Sequence, residues 1–121
     1  MGHSSVIVLL VPPLTYHLVP RTDWAAADPT QPYQPSAFAR EGFVHCTDGA
    51  EEVANTANRY FSAFEGDLLA LVIDRARLAS PVRYEDPAQV YPHIYGPIER
   101  DAIVHVVTMP RAPDGDFLPP A

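Results

Sequence analysis

Leu68-Leu-Ala-Leu-Val-Ile73 is six residues long and carries no polar side chain. A run this short and this apolar suits a strand buried on both faces, at the centre of a sheet. Gly66 precedes it and Asp74 follows it, so the punctuation agrees. Other segments offer themselves as its neighbours. Thr15 to Val19 reads as a strand stopped by Pro20, Phe43 to Cys46 as a strand opened by Gly42, Val82 to Glu85 as a third and Ala102 to Met109 as a closing one.

Helical signals lie between these strands. Thr22 can cap a short helix through Ala27, with Asp23 in its first turn. Ser36 can cap one or two turns through Arg40 that end at Gly42. Asp48-Gly-Ala-Glu51 has the form of a capping box. After it Val53, Ala54, Ala57, Tyr60, Phe61 and Phe64 fall at helical spacing, which predicts an amphipathic helix stopped by Gly66. Asp86 to Pro97 holds three prolines and a glycine and reads as loop. Five or six strands with two or three helices make an α+β domain. Residues 15–109 form that domain, 1–14 a leader or edge strand, and 110–121, with four prolines, an irregular tail.

A chain of 121 residues is large enough for one core without staples. Its net charge of -7, from fifteen acidic residues, eight arginines and no lysine, argues against non-specific nucleic-acid binding. Cys46 is the only cysteine, so no internal disulfide and no cysteine-based zinc motif can form. The apolar stretch Val6 to Val11 is too short to span a bilayer and follows no basic residue. A cytoplasmic protein without membrane attachment is the expectation.

Chemistry concentrates in Glu41-Gly-Phe-Val-His-Cys-Thr47. Strand alternation puts His45 and Thr47 on one face and Cys46 on the other, towards the core. A lone buried thiol behaves as a small apolar group. His17 follows Tyr16 in the first strand and can face a cleft. His93, in Pro92-His-Ile-Tyr-Gly-Pro97, sits in a proline-braced loop where Tyr95 offers a phenol and Gly96 allows close approach of a ligand. His17, His45 and His93 are the candidate catalytic residues, with Thr47, Tyr95, Arg21 and Gly96 as ligand contacts. Each also has a structural reading: a strand histidine bonded to backbone, a loop pinned by its aromatic residues, a surface arginine. No histidine pair has the spacing of a strong metal motif, and no metal is expected. His105, between valines on the last strand, reads as structural.

Taken together, Tyr16-His-Leu-Val-Pro20, Trp24, Glu41 to Thr47, Ala57-Asn-Arg-Tyr-Phe61, Leu71-Val-Ile-Asp74 and Pro92 to Pro97 resemble the bacterial DUF952 family over about residues 15–109. The resemblance implies a split, bent sheet similar to the ADP-ribosyltransferase fold, with a cleft that holds NAD in active enzymes. On that likeness His17 would bond a ribose of NAD and His45 would stand near the nicotinamide end. Glu99 or Asp101 would be the acidic partner entering the last strand. An imidazole-lined pocket is also similar to the RNA 2′-phosphotransferase branch. Two other functions compete. Val44-His-Cys-Thr47 supplies half the signature of a two-histidine phosphoesterase. The lack of a clear catalytic acid suits a non-catalytic module that binds a nucleotide or a protein.

Overall fold

The structure, a computed structural model, describes residues 13–120. Most of the leader therefore lies outside the described residues. The chain forms two three-stranded antiparallel sheets and three helices, the α+β class with a split sheet. The first sheet has the order β1–β3–β6, from Leu14–Pro20, Leu68–Asp74 and Ile103–Thr108. The second has the order β2–β5–β4, from Val44–His45, Pro92–Ile94 and Val82–Tyr84. Helices α1 (Arg21–Ala26), α2 (Phe38–Glu41) and α3 (Ala50–Tyr60) fill the connections.

The apolar run becomes β3, and its burial explains its composition. Residues 68–73 are all buried. Leu69, Leu71 and Ile73 face one core with Val19, Val44, Ile94 and Ile98. Leu68 and Ala70 face the other, where Val53, Ala54 and Ala57 of α3 pack with Met109 and Phe117. Each large side chain removed from water in this way contributes about 1.5–3 kcal/mol. Because β3 has a layer on each side, neither of its faces can tolerate a polar residue.

Two isolated backbone bridges add to the ladders, the first from β1 to the residue two past β2 and the second between the segments at Tyr33 and Ile98. Tyr16 and Thr47 exchange N–H···O bonds of 2.9 and 2.8 Å, and Tyr33 and Ile98 exchange bonds of 2.8 and 2.9 Å. The first bridge brings the end of the Glu41–Thr47 stretch against β1. The tail is irregular from 110 to 120 but docks on α3: Phe117 is buried, and the Asn58 amide bonds both its N–H and its carbonyl, at 2.7 and 3.0 Å.

Several local expectations are corrected. Neither Thr22 nor Ser36 caps a helix: α1 begins at Arg21, so Thr22 already lies inside it, and α2 begins after Ala37. The Asp48 capping box does not form, because Tyr84 donates its hydroxyl to Asp48 Oδ2 at 2.6 Å and Gly49 takes the cap position. Helix α3 stops at Tyr60 instead of Gly66, and Phe61 and Phe64 pack edge to face in the turn beyond. Most consequentially, His93 stands on a strand, β5, whose three residues between prolines gave no periodic signal. Gly42 ends α2 as expected, with φ of 81°.

Candidate functional site

A cleft of about 710 Å³ opens between the outer part of β1, the β2 and β5 strands and the last turn of α3. Its size lies within the range of small-molecule sites. His17, His45 and His93 all line it, so the fold brings together the three imidazoles singled out in the sequence.

His17 alternates into the interior of β1 beside Thr15 and Val19 and is 8% exposed. Its Nδ1–H donates to the backbone carbonyl of His45 at 2.6 Å. A carbonyl only accepts, so the proton must sit on Nδ1 and the neutral ring carries a bare lone pair on Nε2. Burial lowers the His17 pKa to about 4, against the opposing effect of the carbonyl bond. The ring is therefore a neutral acceptor at neutral pH. Among the described residues Nε2 has no hydrogen-bond partner.

His45 and His93 are directly opposed in the β2–β5 ladder. Cross-strand partners point to the same face, and their ring centroids lie 5.3 Å apart, edge to face. Phe43 braces both, stacked on His93 at 4.0 Å and at an edge to His45 at 4.7 Å. Each imidazole also meets a carboxylate. His45 Nε2 lies 3.2 Å from Glu41 Oε1, and His93 Nδ1 lies 3.0 Å from Glu85 Oε1. The same Glu85 oxygen accepts the Tyr95 hydroxyl. These bonds, that from Tyr95 foremost and then that from His93, hold the Glu85 carboxyl below its ordinary range, and they raise the Tyr95 phenol.

Other candidates are placed elsewhere or otherwise occupied. Thr47 lines the cleft but is buried, and its hydroxyl lies 3.2 Å from Thr56 Oγ1. Thr56 already donates to the Glu52 carbonyl at 2.9 Å, so Thr47 must donate to Thr56. Cys46 is buried, and that burial raises its thiol pKa, so it is an inert neighbour and no nucleophile. Arg21 stays outside the cleft, where it bonds Asp67 at 3.0 Å and Thr108 at 2.8 Å. Tyr95 is turned to Glu85. Gly96 is close to protein instead of ligand: a Cβ there would lie 2.2 Å from Ser80 Oγ. Glu99 accepts the Ala79 N–H at 3.1 Å, and Asp101 is exposed beside Arg77; neither lines the cleft.

The cleft has residues that sequence reasoning missed. Glu41 reaches it because Gly42 turns the chain left-handed and folds the glutamate back over His45, four residues on. Glu85 reaches His93 because β4 pairs with β5, with Arg83 opposite His93. Arg59 and Tyr60 of α3 also line the cleft, and Tyr60, expected in the apolar stripe of the helix, is instead 71% exposed there. A polar helix face ordinarily reads as solvated, so only the Glu41–His45 spacing was a usable signal.

A family model described as a protein of unknown function, DUF952, matches residues 18–106. The chain belongs to the DUF952 family. That match begins at Leu18 in β1 and ends at Val106 in β6, so it contains His45 and His93 and starts one residue after His17. The crystal structure of protein CC0527 from Caulobacter crescentus is similar to this DUF952 domain, with a TM-score of 0.71 and 21% identity over 86% of this chain and 92% of that one. Its solution NMR structure gives a TM-score of 0.67 and 22% identity over 84% and 89%. Likeness at that identity speaks for the fold alone. No curated protein matches the chain. Among the described residues, no helix is long and apolar enough to cross a membrane, and no group of three or more His, Cys, Asp or Glu is arranged to hold a metal ion.

Proposed function

We propose that this DUF952 domain binds a nucleotide of the NAD class in the histidine-lined cleft, in the manner of an ADP-ribosyltransferase-like domain. The observation that carries the reading is His17: a buried, neutral imidazole with its Nδ1–H committed to a carbonyl and a bare Nε2 on a residue of the cleft wall. Such a nitrogen accepts from a ribose hydroxyl and leaves the neutral ring without a desolvated charge. Among the described residues Arg59 supplies the one arginine of the lining, suited to a phosphate oxygen, and the rings of Tyr60 and Tyr91 offer apolar faces to a base. The volume and this donor set suit the ligand. Glu41, paired with His45, is the lining acid beside an imidazole and would take the role that Glu99 and Asp101 do not fill. NAD, when bound, would supply a glycosidic bond for transfer of ADP-ribose or acceptance of a phosphate.

Thermal-shift titration with NAD, ADP-ribose and ADP tests this. A ligand at a hundred times its Kd adds about 2.7 kcal/mol, or roughly 8–20 °C in a domain of this size. His17→Ala and Arg59→Ala should each remove most of that shift. No shift with any of the three at millimolar concentration sinks the reading. A shift without nicotinamide release by mass spectrometry makes the domain a binding module instead of an enzyme.

The opposed, carboxylate-paired imidazoles favour a second reading, phosphoester cleavage with one imidazole as base and the other as acid. Turnover of a cyclic phosphodiester by the wild type, lost in His45→Ala, is its expected result. Equal background rates in both remove it.

A further inference from the structure

The two imidazoles of the small sheet are gripped by opposite nitrogens. Glu41 meets His45 at Nε2, whereas Glu85 meets His93 at Nδ1. An ionised carboxylate only accepts, so the nitrogen it touches must carry the proton. The hydrogen bond from His93 Nδ1 to Glu85 therefore leaves the neutral His93 ring with Nδ1–H and a bare Nε2, whereas Glu41 makes only an ion-pair contact with His45.

The grip on His93 is the more elaborate. Glu85 Oε1 accepts from His93 Nδ1–H and from the Tyr95 hydroxyl together. Phe43 stacks on the far face of the same ring at 4.0 Å. The Arg83 guanidinium, opposite His93 in the ladder, lies 5.3 Å over the Tyr95 ring, which fixes Tyr95 in turn. Glu85 and Tyr95 do not line the cleft, while His93 does. Two groups outside the cleft thus fix the tautomer and the rotation of a group inside it.

We infer that Glu85 is the positioning residue of the cleft: with Tyr95 it locks His93 as the Nδ1–H tautomer and presents Nε2 as the base. The assignment rests on the acid–base reading above and gives each imidazole a role. With a cyclic phosphodiester, His93 Nε2 takes a proton from the attacking water. The freed oxygen forms a bond to phosphorus, and the bond from phosphorus to the leaving oxygen breaks. The His45 imidazolium returns a proton to that leaving oxygen. One ring gains a proton, the other loses one, and nothing is oxidised or reduced. Glu85 never touches the reacting atoms.

Imidazole 15N NMR on the intact chain reads the tautomer without any substrate. In the wild type above the titration range, His93 should show a protonated Nδ1 and a bare Nε2. Glu85→Ala should return the ring to the Nε2–H form that a free imidazole prefers, while Glu85→Gln, which keeps an accepting oxygen, should retain Nδ1–H. Tyr95→Phe should leave the tautomer in place but broaden its signals. In a cyclic phosphodiester assay, Glu85→Ala should lower kcat by about tenfold or more with KM little changed, as when an orienting partner is removed from a reacting group. A tautomer that changes in a protein without phosphodiesterase activity upholds the positioning role and discards the phosphoester reading. A His93 ring that remains Nδ1–H in Glu85→Ala, or that is Nε2–H in the wild type, overturns the inference.

Discussion

In the β1–β3–β6 sheet the strands run seven, seven and six residues, and six of the seven side chains of β3 are buried. In the β2–β5–β4 sheet they run two, three and three residues. The small sheet still has an inner face, where Val44 and Ile94 are fully buried in the core they share with β3. Its outer face holds His45, His93 and Arg83, with Phe43, Glu85 and Tyr95 around them. The large sheet therefore carries the burial, and the small one displays polar groups on a surface the large one holds still. A site built this way can vary its outer face at little cost to the fold.

Substitutions that separate burial from display test that division most severely. Leu71→Ala removes a fully buried side chain from the centre of β3, and urea denaturation should show a loss of about 2–5 kcal/mol. His93→Ala and His45→Ala should cost under about 1 kcal/mol each while abolishing the chemistry of the cleft. If His93→Ala destabilises as much as Leu71→Ala, the small sheet is a structural element whose histidine is part of its packing.

His17 belongs to both sheets, since it stands on β1 and bonds the carbonyl of β2. Its pKa is lowered from an ordinary 6.5 to about 4 in the folded protein. Between those values the unfolded chain binds a proton that the folded chain refuses, so acid favours unfolding. The stability tied to a neutral His17 is complete above about pH 6.5 and is lost as pH falls towards 4. The full loss is on the order of 3 kcal/mol. The depressed carboxyl of Glu85 acts in the same direction but only in a more acid range, below the ordinary carboxylate value. Urea midpoints of the wild type and His17→Gln, compared from pH 7 to 4.5, should therefore diverge: the wild type falls and the variant stays flatter. Parallel curves would show that His17 is not held neutral by its burial.

What was legible in the chain follows the same line. Leu68 to Ile73 announced the central strand because two covered faces leave no room for a polar residue. The alternation around Tyr16-His-Leu put Tyr16 and His17 on opposite faces and let His17 face a cleft, but it did not show that His17 is buried. The other half of the site was harder to read. Strands of two and three residues are shorter than any periodicity, so β5 looked like a proline-rich loop and the pairing of His45 with His93 left no trace. Without that pairing Glu85 had no visible connection to His93. Asp48 and Tyr95 failed for a further reason: each has a local reading, as a helix cap and as a ligand contact. Each is drawn away by a distant partner, Tyr84 and Glu85, that only the assembled sheet supplies. Arg21 and Gly96 likewise looked functional from their neighbours in sequence and are used by the fold, as a surface tie and as a packing gap.

Gly96 turns that last distinction into a smaller but sharper test. Its backbone is not left-handed, so alanine would strain nothing by conformation alone; the obstacle is Ser80, whose Oγ and Cβ would lie 2.2 and 2.9 Å from the new methyl. Rotating the serine away also breaks its bond to the Pro97 carbonyl at 3.0 Å. Gly96→Ala should cost about 1–3 kcal/mol, and a Ser80→Gly background, which removes both clashing atoms, should recover much of it. Affinity for a ligand that shifts the melting temperature of the wild type should be unchanged, because Gly96 does not line the cleft. A loss of binding with no loss of stability would reverse the assignment and make the Pro92–Pro97 segment a wall of the site along its whole length, not only at His93.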